Sequence, residues 1–197
     1  MNILRKNSFT TAKWSGGTTT ELRIVPEGAS YSERQFDFRV STATVEAGES
    51  RFTLLEGVER HLMVLEGKII LRHDGMKDIL LNPFEQNNFD GASHTVSLSQ
   101  DNVVDFNLML KGFYKGRLIH HDCKEQLSIE GVNIVSQHGY YREFYCVNGR
   151  VELAIGNHSM RLFAGDYLQL QQKEIFEAIQ VEGSGNLIEI QVWNSQF

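Results

Sequence analysis

The chain has 197 residues, 41% hydrophobic and 22% charged, a balance that excludes intrinsic disorder. Its 19 Lys and Arg against 25 Asp and Glu leave a formal net charge of -6 with no basic run, which excludes the electrostatic footprint of a nucleic-acid binder or a polybasic membrane binder. No stretch of about 20 apolar residues predicts a membrane-spanning helix, and Met1–Lys6 has no signal-peptide core, so a cytoplasmic protein with no membrane partner is expected.

In chain order, the first notable segment is Trp14-Ser15-Gly16-Gly17-Thr18-Thr19. It lacks the Lys of a phosphate-binding loop. It reads instead as an N-terminal arm, with Trp14 an apolar anchor over a barrel mouth and Thr18 and Glu21 reaching inward, or as the plain start of an edge strand. Phe38–Ala43 alternates as a strand. Arg60–Leu65, Glu66-Gly67 and Lys68–Arg72 read as a hairpin, with Gly67 supplying the positive φ of a tight turn. A turn at Asp74-Gly75 leads back through Asp78–Leu81, which Asn82-Pro83 ends. Val104–Leu110 is another alternating strand. The stretch from about Tyr114 to Tyr140 is less regular and reads as a crossover.

The strand rhythm then repeats. Arg142–Val147, Asn148-Gly149 and Arg150–Ala154 read as a second hairpin, followed by a turn at Gly156-Asn157 and a return through Met160–Phe163. A shift of 82 residues carries Arg60 onto Arg142, Gly67 onto Gly149, Leu71 onto Leu153 and Leu80 onto Leu162. Recurrence at one offset predicts an internal duplication. No clear helical periodicity competes with this reading. The expectation is an all-β bicupin: two packed double-stranded β-helix lobes of the jelly-roll type. Residues 1–113 would hold the arm and first lobe, and 114–197 the crossover and second lobe. Each lobe is small for an independent core, so one fused unit is expected.

Five segments in order resemble the HutD/Ves family: Trp14–Glu21, Phe38–Ala43, Glu56–Arg60, Leu65–Gly67 and Asp105–Met109. They cover roughly the first half of the chain; the second half resembles the family in strand rhythm alone. The resemblance implies a bicupin fold. It also implies a role in tuning histidine degradation, with a small metabolite such as formylglutamate as ligand, or the stress-associated role of the other branch. Cupin enzymes also imply a metal held by two His, a Glu and a later His. Here Arg60-His61-Leu62-Met63 lacks a His-x-His pair, and His94 matches the later position loosely. No bound metal or other cofactor is therefore expected, and the seven His read as surface or hydrogen-bonded residues.

Three other features bear on a site. His120-His121-Asp122-Cys123 places neighbours on opposite faces of any strand, so it reads as an exposed crossover with a loop thiol at Cys123. Cys146 reads as a buried strand residue. Asp105 and Asn107 share one face of an otherwise apolar strand, where burial demands partners. Arg39 and Arg60 alternate similarly in their own segments. One reading pairs Asp105 with Arg39 or Arg60 in a barrel-closing salt bridge. The other is a polar pocket whose arginine grips a ligand carboxylate. The expected ligand-binding set is Trp14, Thr18, Glu21, Arg39, Arg60, Asp105 and Asn107, for a small anionic metabolite such as formylglutamate or urocanate. A non-enzymatic modulator is the first functional expectation. The alternatives are a cupin-type hydrolase or isomerase, and an interaction protein that forms a homodimer through its second lobe.

Overall fold

A computed structural model describes residues 1–132 and 139–196. The chain opens with β1 (Asn2–Leu4) and a 3-10 turn at Lys6–Ser8. Ten strands follow: β2 (Thr10–Trp14), β3 (Gly17–Val25), β4 (Phe38–Val45), β5 (Gly48–Arg51), β6 (Val58–Glu66), β7 (Ile69–His73), β8 (Ile79–Leu81), β9 (Gln86–Asp90), β10 (Thr95–Ser99) and β11 (Val103–Lys111). Then come β12 (Tyr114–Ile129), β13 (Tyr140–Ile155), β14 (His158–Phe163), β15 (Tyr167–Gln169) and β16 (Ile179–Asn194). No α-helix occurs among the described residues. The fold is the expected all-β bicupin.

The chain divides into two units, Thr10–Tyr114 and Met1–Phe9 with Lys115–Phe197. In the N-terminal unit a six-stranded sheet, β2-β3-β4-β11-β6-β9, faces a four-stranded one, β5-β10-β7-β8. Leu62, Val64 and Phe89 of the first sheet pack on Ile69, Leu71 and Leu81 of the second. Successive side chains on a strand point to opposite faces, so one face of the larger sheet is committed to this interior. The C-terminal unit is built on a sheet of order β1-β15-β13-β16-β12, with β14 paired to β13. Its core includes Phe144, Cys146, Val151, Leu153, Val181 and Leu187.

The structure places the N-terminal arm elsewhere than expected. Residues 1–9 belong to the C-terminal unit, where β1 pairs with β15. Arg5 Nη1 donates to Asp166 Oδ2 at 2.5 Å, and Lys6 N donates to Asp166 Oδ1 at 3.3 Å. The Gly165-Asp166 turn supplies that acceptor, and an Arg–Asp contact so distant in sequence leaves no local trace. The crossover also differs. Its first part is the regular strand β12, with Cys123 buried on it rather than in a loop. Residues 133–138 of that segment, including His138, lie outside the described residues.

The two expected hairpins are not hairpins. Gly67 and Gly149 do have positive φ, 80° and 73°. Yet β6 pairs with β11 and β9 in one sheet, whereas β7 pairs with β10 and β8 in the other. Gly67 therefore lies at a corner between sheets. In the C-terminal unit the matching residues are one bent strand, β13, laddered to β16 along its length. A Cβ on Gly149 would come within 2.0 Å of the Ser184 carbonyl oxygen, so only glycine fits there. The turns at Asp74-Gly75 and Gly156-Asn157 do close true hairpins, β7–β8 and β13–β14.

The 82-residue register runs deeper than the strand rhythm. Shifting Val58 and His73, the outer ends of β6 and β7, gives Tyr140 and Ile155, the ends of β13. Both units carry a bulge at the same place, bypassing Leu65 in one and Val147 in the other. The order β4-β11-β6-β9 matches β12-β16-β13-β15.

Candidate functional site

The inner face of the larger N-terminal sheet is set by strand register. Asn107 on β11 stands between Ser41 on β4 and Leu62 on β6, and Met109 stands between Arg39 and Arg60. Glu21 on β3 lies opposite Ser41, and Phe89 on β9 lies opposite Arg60. Residues two apart on one strand share a face, so Glu21, Arg39, Ser41, Arg60, Asp105 and Asn107 are all brought together on it.

The two arginines are held differently. Arg39 Nε donates to Glu21 Oε2 at 2.7 Å and Arg39 Nη1 to Ser41 Oγ at 3.0 Å, while its guanidinium lies 4.4 Å above the Tyr31 ring. Arg60 is 6% exposed. Its guanidinium sits 4.7 Å from the Phe52 ring and 5.4 Å from Phe89, a cation–π cradle. Arg60 Nη1 donates to the Thr53 carbonyl at 3.3 Å, but its buried Nε has no acceptor. Burial lowers the Arg60 pKa, an effect opposed by Tyr31 and Asp105.

Asp105 is buried and accepts from Asn107 Nδ2 at 2.5 Å. Neither arginine bonds to it, which overturns the barrel-closing salt bridge. Desolvation pushes its carboxyl up to about 7, against the Asn107 bond and the Arg60 charge. Asn107 spends its amide N–H on Asp105, and its Oδ1 is buried without a partner. One face thus presents an unmet donor, Arg60 Nε, and an unmet acceptor, Asn107 Oδ1. Buried polar atoms left so are rare in proteins, and a ligand group, an ion or a water would satisfy them.

Two expected residues do not join this group. Thr18 alternates with Glu21 on β3 and lies opposite Thr44, on the other face. Trp14 shares the inner face but sits on edge strand β2, paired with Gly17 at the far end of the ladder and 37% exposed. It is three strands from Asp105, roughly 14 Å. Residues that the sequence does not flag include Tyr31, Phe52 and Phe89, which frame the guanidinia, and Ser41. Alternation from Arg39 is the signal that reaches Ser41. His73 is a further one: it is buried between Thr95 Oγ1 at 2.8 Å and Asn87 Oδ1 at 3.0 Å.

The residues do not fit the metal that cupin enzymes imply. The interior positions of β6 and β11 carry guanidinium, aliphatic, amide and one carboxyl group rather than imidazoles. His61 lies on the opposite face, 2.9 Å from Glu59, and His94 is exposed. Among the described residues no three His, Cys, Asp or Glu side chains converge as a metal site.

The C-terminal unit provides the comparison. Arg142, the counterpart of Arg60, is fully buried, and each of its three guanidinium nitrogens has an acceptor. Its Nε donates to Glu189 Oε1 at 2.7 Å, and its other nitrogens reach the carbonyls of Ile175, Glu177 and Glu130 at 2.8–3.0 Å. Glu189 is the counterpart of Asn107 at the same offset of 82, and His121 that of Arg39. His121 Nε2 lies 2.7 Å from Glu189 Oε2, and His120 bonds separately to Asn186 at 2.7 Å. These histidines are therefore paired strand residues, not an exposed crossover.

This is a two-unit cupin-fold protein with a buried arginine–amide–carboxyl cluster in its N-terminal unit and a self-satisfied counterpart in the other. The HutD family model matches residues 6–188, and the chain belongs to the HutD family. Solved structures agree in fold. PA5104 from Pseudomonas aeruginosa PAO1, a conserved protein of unknown function, superposes with a TM-score of 0.85 at 20% identity, covering 98% of both chains. HutD from Pseudomonas fluorescens SBW25, solved in a formate condition, gives 0.73 at 24% identity, over 96% of this chain and 97% of that one. Ylba from E. coli gives 0.69 at 13% identity, over 96% and 89%. No curated protein matches the chain.

Proposed function

We propose that the N-terminal unit binds a small carboxylate metabolite, with Arg60 as the gripping cation and Arg39, Asp105 and Asn107 around it. The protein then acts as a non-enzymatic modulator linked to histidine or related amino-acid catabolism, in the cytoplasm. One observation carries the reading. Arg142 Nε is met by a carboxylate, and the matching Arg60 Nε is buried with none. A ligand carboxylate supplies the missing acceptor in a site already desolvated, where a charged hydrogen bond is strong.

Formylglutamate and urocanate are the first ligands to try, with glutamate alongside. Calorimetry on the wild-type protein is expected to give heat with at least one of them and none after Arg60→Ala. No heat with any, from folded protein, removes these ligands; binding that survives Arg60→Ala removes the clamp.

A second reading, a cupin-type hydrolase or isomerase, is favoured by one feature. A buried carboxyl with a pKa of about 7, as Asp105 has, suits general acid–base chemistry near neutral pH. Turnover of a bound metabolite that disappears in Asp105→Asn while binding persists would select it.

A further inference from the structure

We infer that the C-terminal unit is a second carboxylate-binding site of the same design, permanently filled by the protein's own Glu189. The inference stands on that unit's geometry and goes beyond the reading of the N-terminal site.

Glu189 is held as a ligand would be. Oε1 accepts from Arg142 Nε at 2.7 Å and from Gln191 Nε2 at 2.6 Å, and Oε2 is bonded to His121 Nε2 at 2.7 Å. Gln191 is itself fixed, because its Oε1 accepts from Tyr140 Oη and Arg117 Nε, both at 2.8 Å. A guanidinium, an imidazole and a primary amide converging on two oxygens form a carboxylate receptor. The remaining nitrogens of Arg142 are committed to backbone carbonyls, so its Nε edge has one role, to hold this carboxylate.

The register shows what the N-terminal unit has instead. One shift of 82 carries Arg60 onto Arg142, Arg39 onto His121 and Asn107 onto Glu189, in matching strand orders. The cation positions remain cationic or imidazole-bearing. The position that carries the internal carboxylate in one unit carries an amide, too short and uncharged to fill it, in the other. One unit is closed by its own side chain, and the other awaits an external one.

Glu189→Ala removes a CH2–COO⁻ group, which acetate replaces nearly atom for atom. His121 remains 15% accessible, giving a small anion an approach. The experiment uses Glu189→Ala in an Arg60→Ala background, so that the N-terminal site does not respond. Loss of one partner of a buried ion pair is expected to lower the Tm by roughly 10 °C. Acetate at about 100 mM is expected to restore at least half of that, with saturation, as binding to the folded state requires. Equal concentrations of chloride and of acetamide, the neutral isostere, are expected to do neither. Glu189→Gly is expected to prefer propionate to acetate.

Restoration by acetamide or chloride to the same degree overturns the inference, as does a folded Glu189→Ala protein that acetate does not stabilise, whether or not its Tm has fallen. If the variant does not fold in buffer, refolding in acetate against chloride decides. Folding in acetate alone supports the site, and failure in both overturns it. The outcome is separate from the calorimetry on wild-type protein, which reads the N-terminal site.

Discussion

Arg142 and Glu189 share a 2.7 Å hydrogen bond with side chains 0% and 1% accessible, the most thoroughly buried ion pair among the described residues. Removing Arg142 leaves Glu189 as an uncompensated buried charge and orphans three backbone carbonyls. Arg142→Met is expected to cost about 3–5 kcal/mol. Arg60→Met should cost less than about 1.5 kcal/mol, since its Nε bonds to nothing and Met fills the Phe52–Phe89 cradle. Chemical denaturation of the two variants checks the contrast; equal losses would make Arg60 as structural as Arg142.

Asn107→Glu transplants the C-terminal arrangement into the N-terminal unit. The new carboxylate is expected to reach Arg60 Nε and abolish metabolite binding, while loss of the amide bond to Asp105 offsets the stability gained. Thermal unfolding and calorimetry read the two effects on one protein. Unchanged metabolite affinity would place the ligand somewhere other than on Arg60.

How much of this is legible in sequence follows from the range of each interaction. Period-two alternation and the 82-residue repeat are local, so the all-β class and the duplication are readable, as are Arg39, Arg60, Asp105 and Asn107 as polar residues on apolar strands. Which residue meets which depends on strand pairing far along the chain. Hence nothing local assigns Arg39 to Glu21 or Arg5 to Asp166, and the arginine partner expected for Asp105 is one that it lacks. The corner at Gly67 resembles a hairpin because both need a positive φ; only the partner strands distinguish them. A motif draws in Trp14 and Thr18, but Thr18 falls on the wrong face and Trp14 at the wrong end.

Asp105 gives stability a defined pH dependence. Its carboxyl, ordinarily at 3.8, is pushed up to about 7 by burial. Between these values the folded state holds a proton that the unfolded state has lost. Stability from this group is therefore fully present below about 4, falls as pH rises toward 7, and is lost above it. At about 1.4 kcal/mol for each tenfold difference in proton affinity, the upper bound is roughly 4 kcal/mol. Other carboxylates, such as Glu189, are shifted down and act oppositely, so the contribution is read as a difference. Wild-type stability minus that of Asp105→Asn is expected to decline from about pH 4 to 7 and then level off. A difference that is flat across that range would show that Asp105 keeps its charge.

Gly149 and Gly28 separate close approach from backbone strain. Both have positive φ, 73° and 81°. A Cβ at Gly28 meets nothing within 4 Å, so Gly28→Ala should cost only the left-handed strain, about 1–2 kcal/mol. At Gly149 the Cβ would collide with the Ser184 carbonyl oxygen at 2.0 Å and Gly185 Cα at 2.8 Å, both backbone atoms that cannot rotate away. Relief requires parting β13 from β16 where both strands bend, which strains the ladder that carries Arg142 and Glu189. Gly149→Ala is therefore expected to cost at least about 3 kcal/mol, and hydrogen exchange should show faster opening of amides along β13 and β16. A loss no larger than that of Gly28→Ala would mean that the bend is soft and that the Arg142–Glu189 pair does not depend on it.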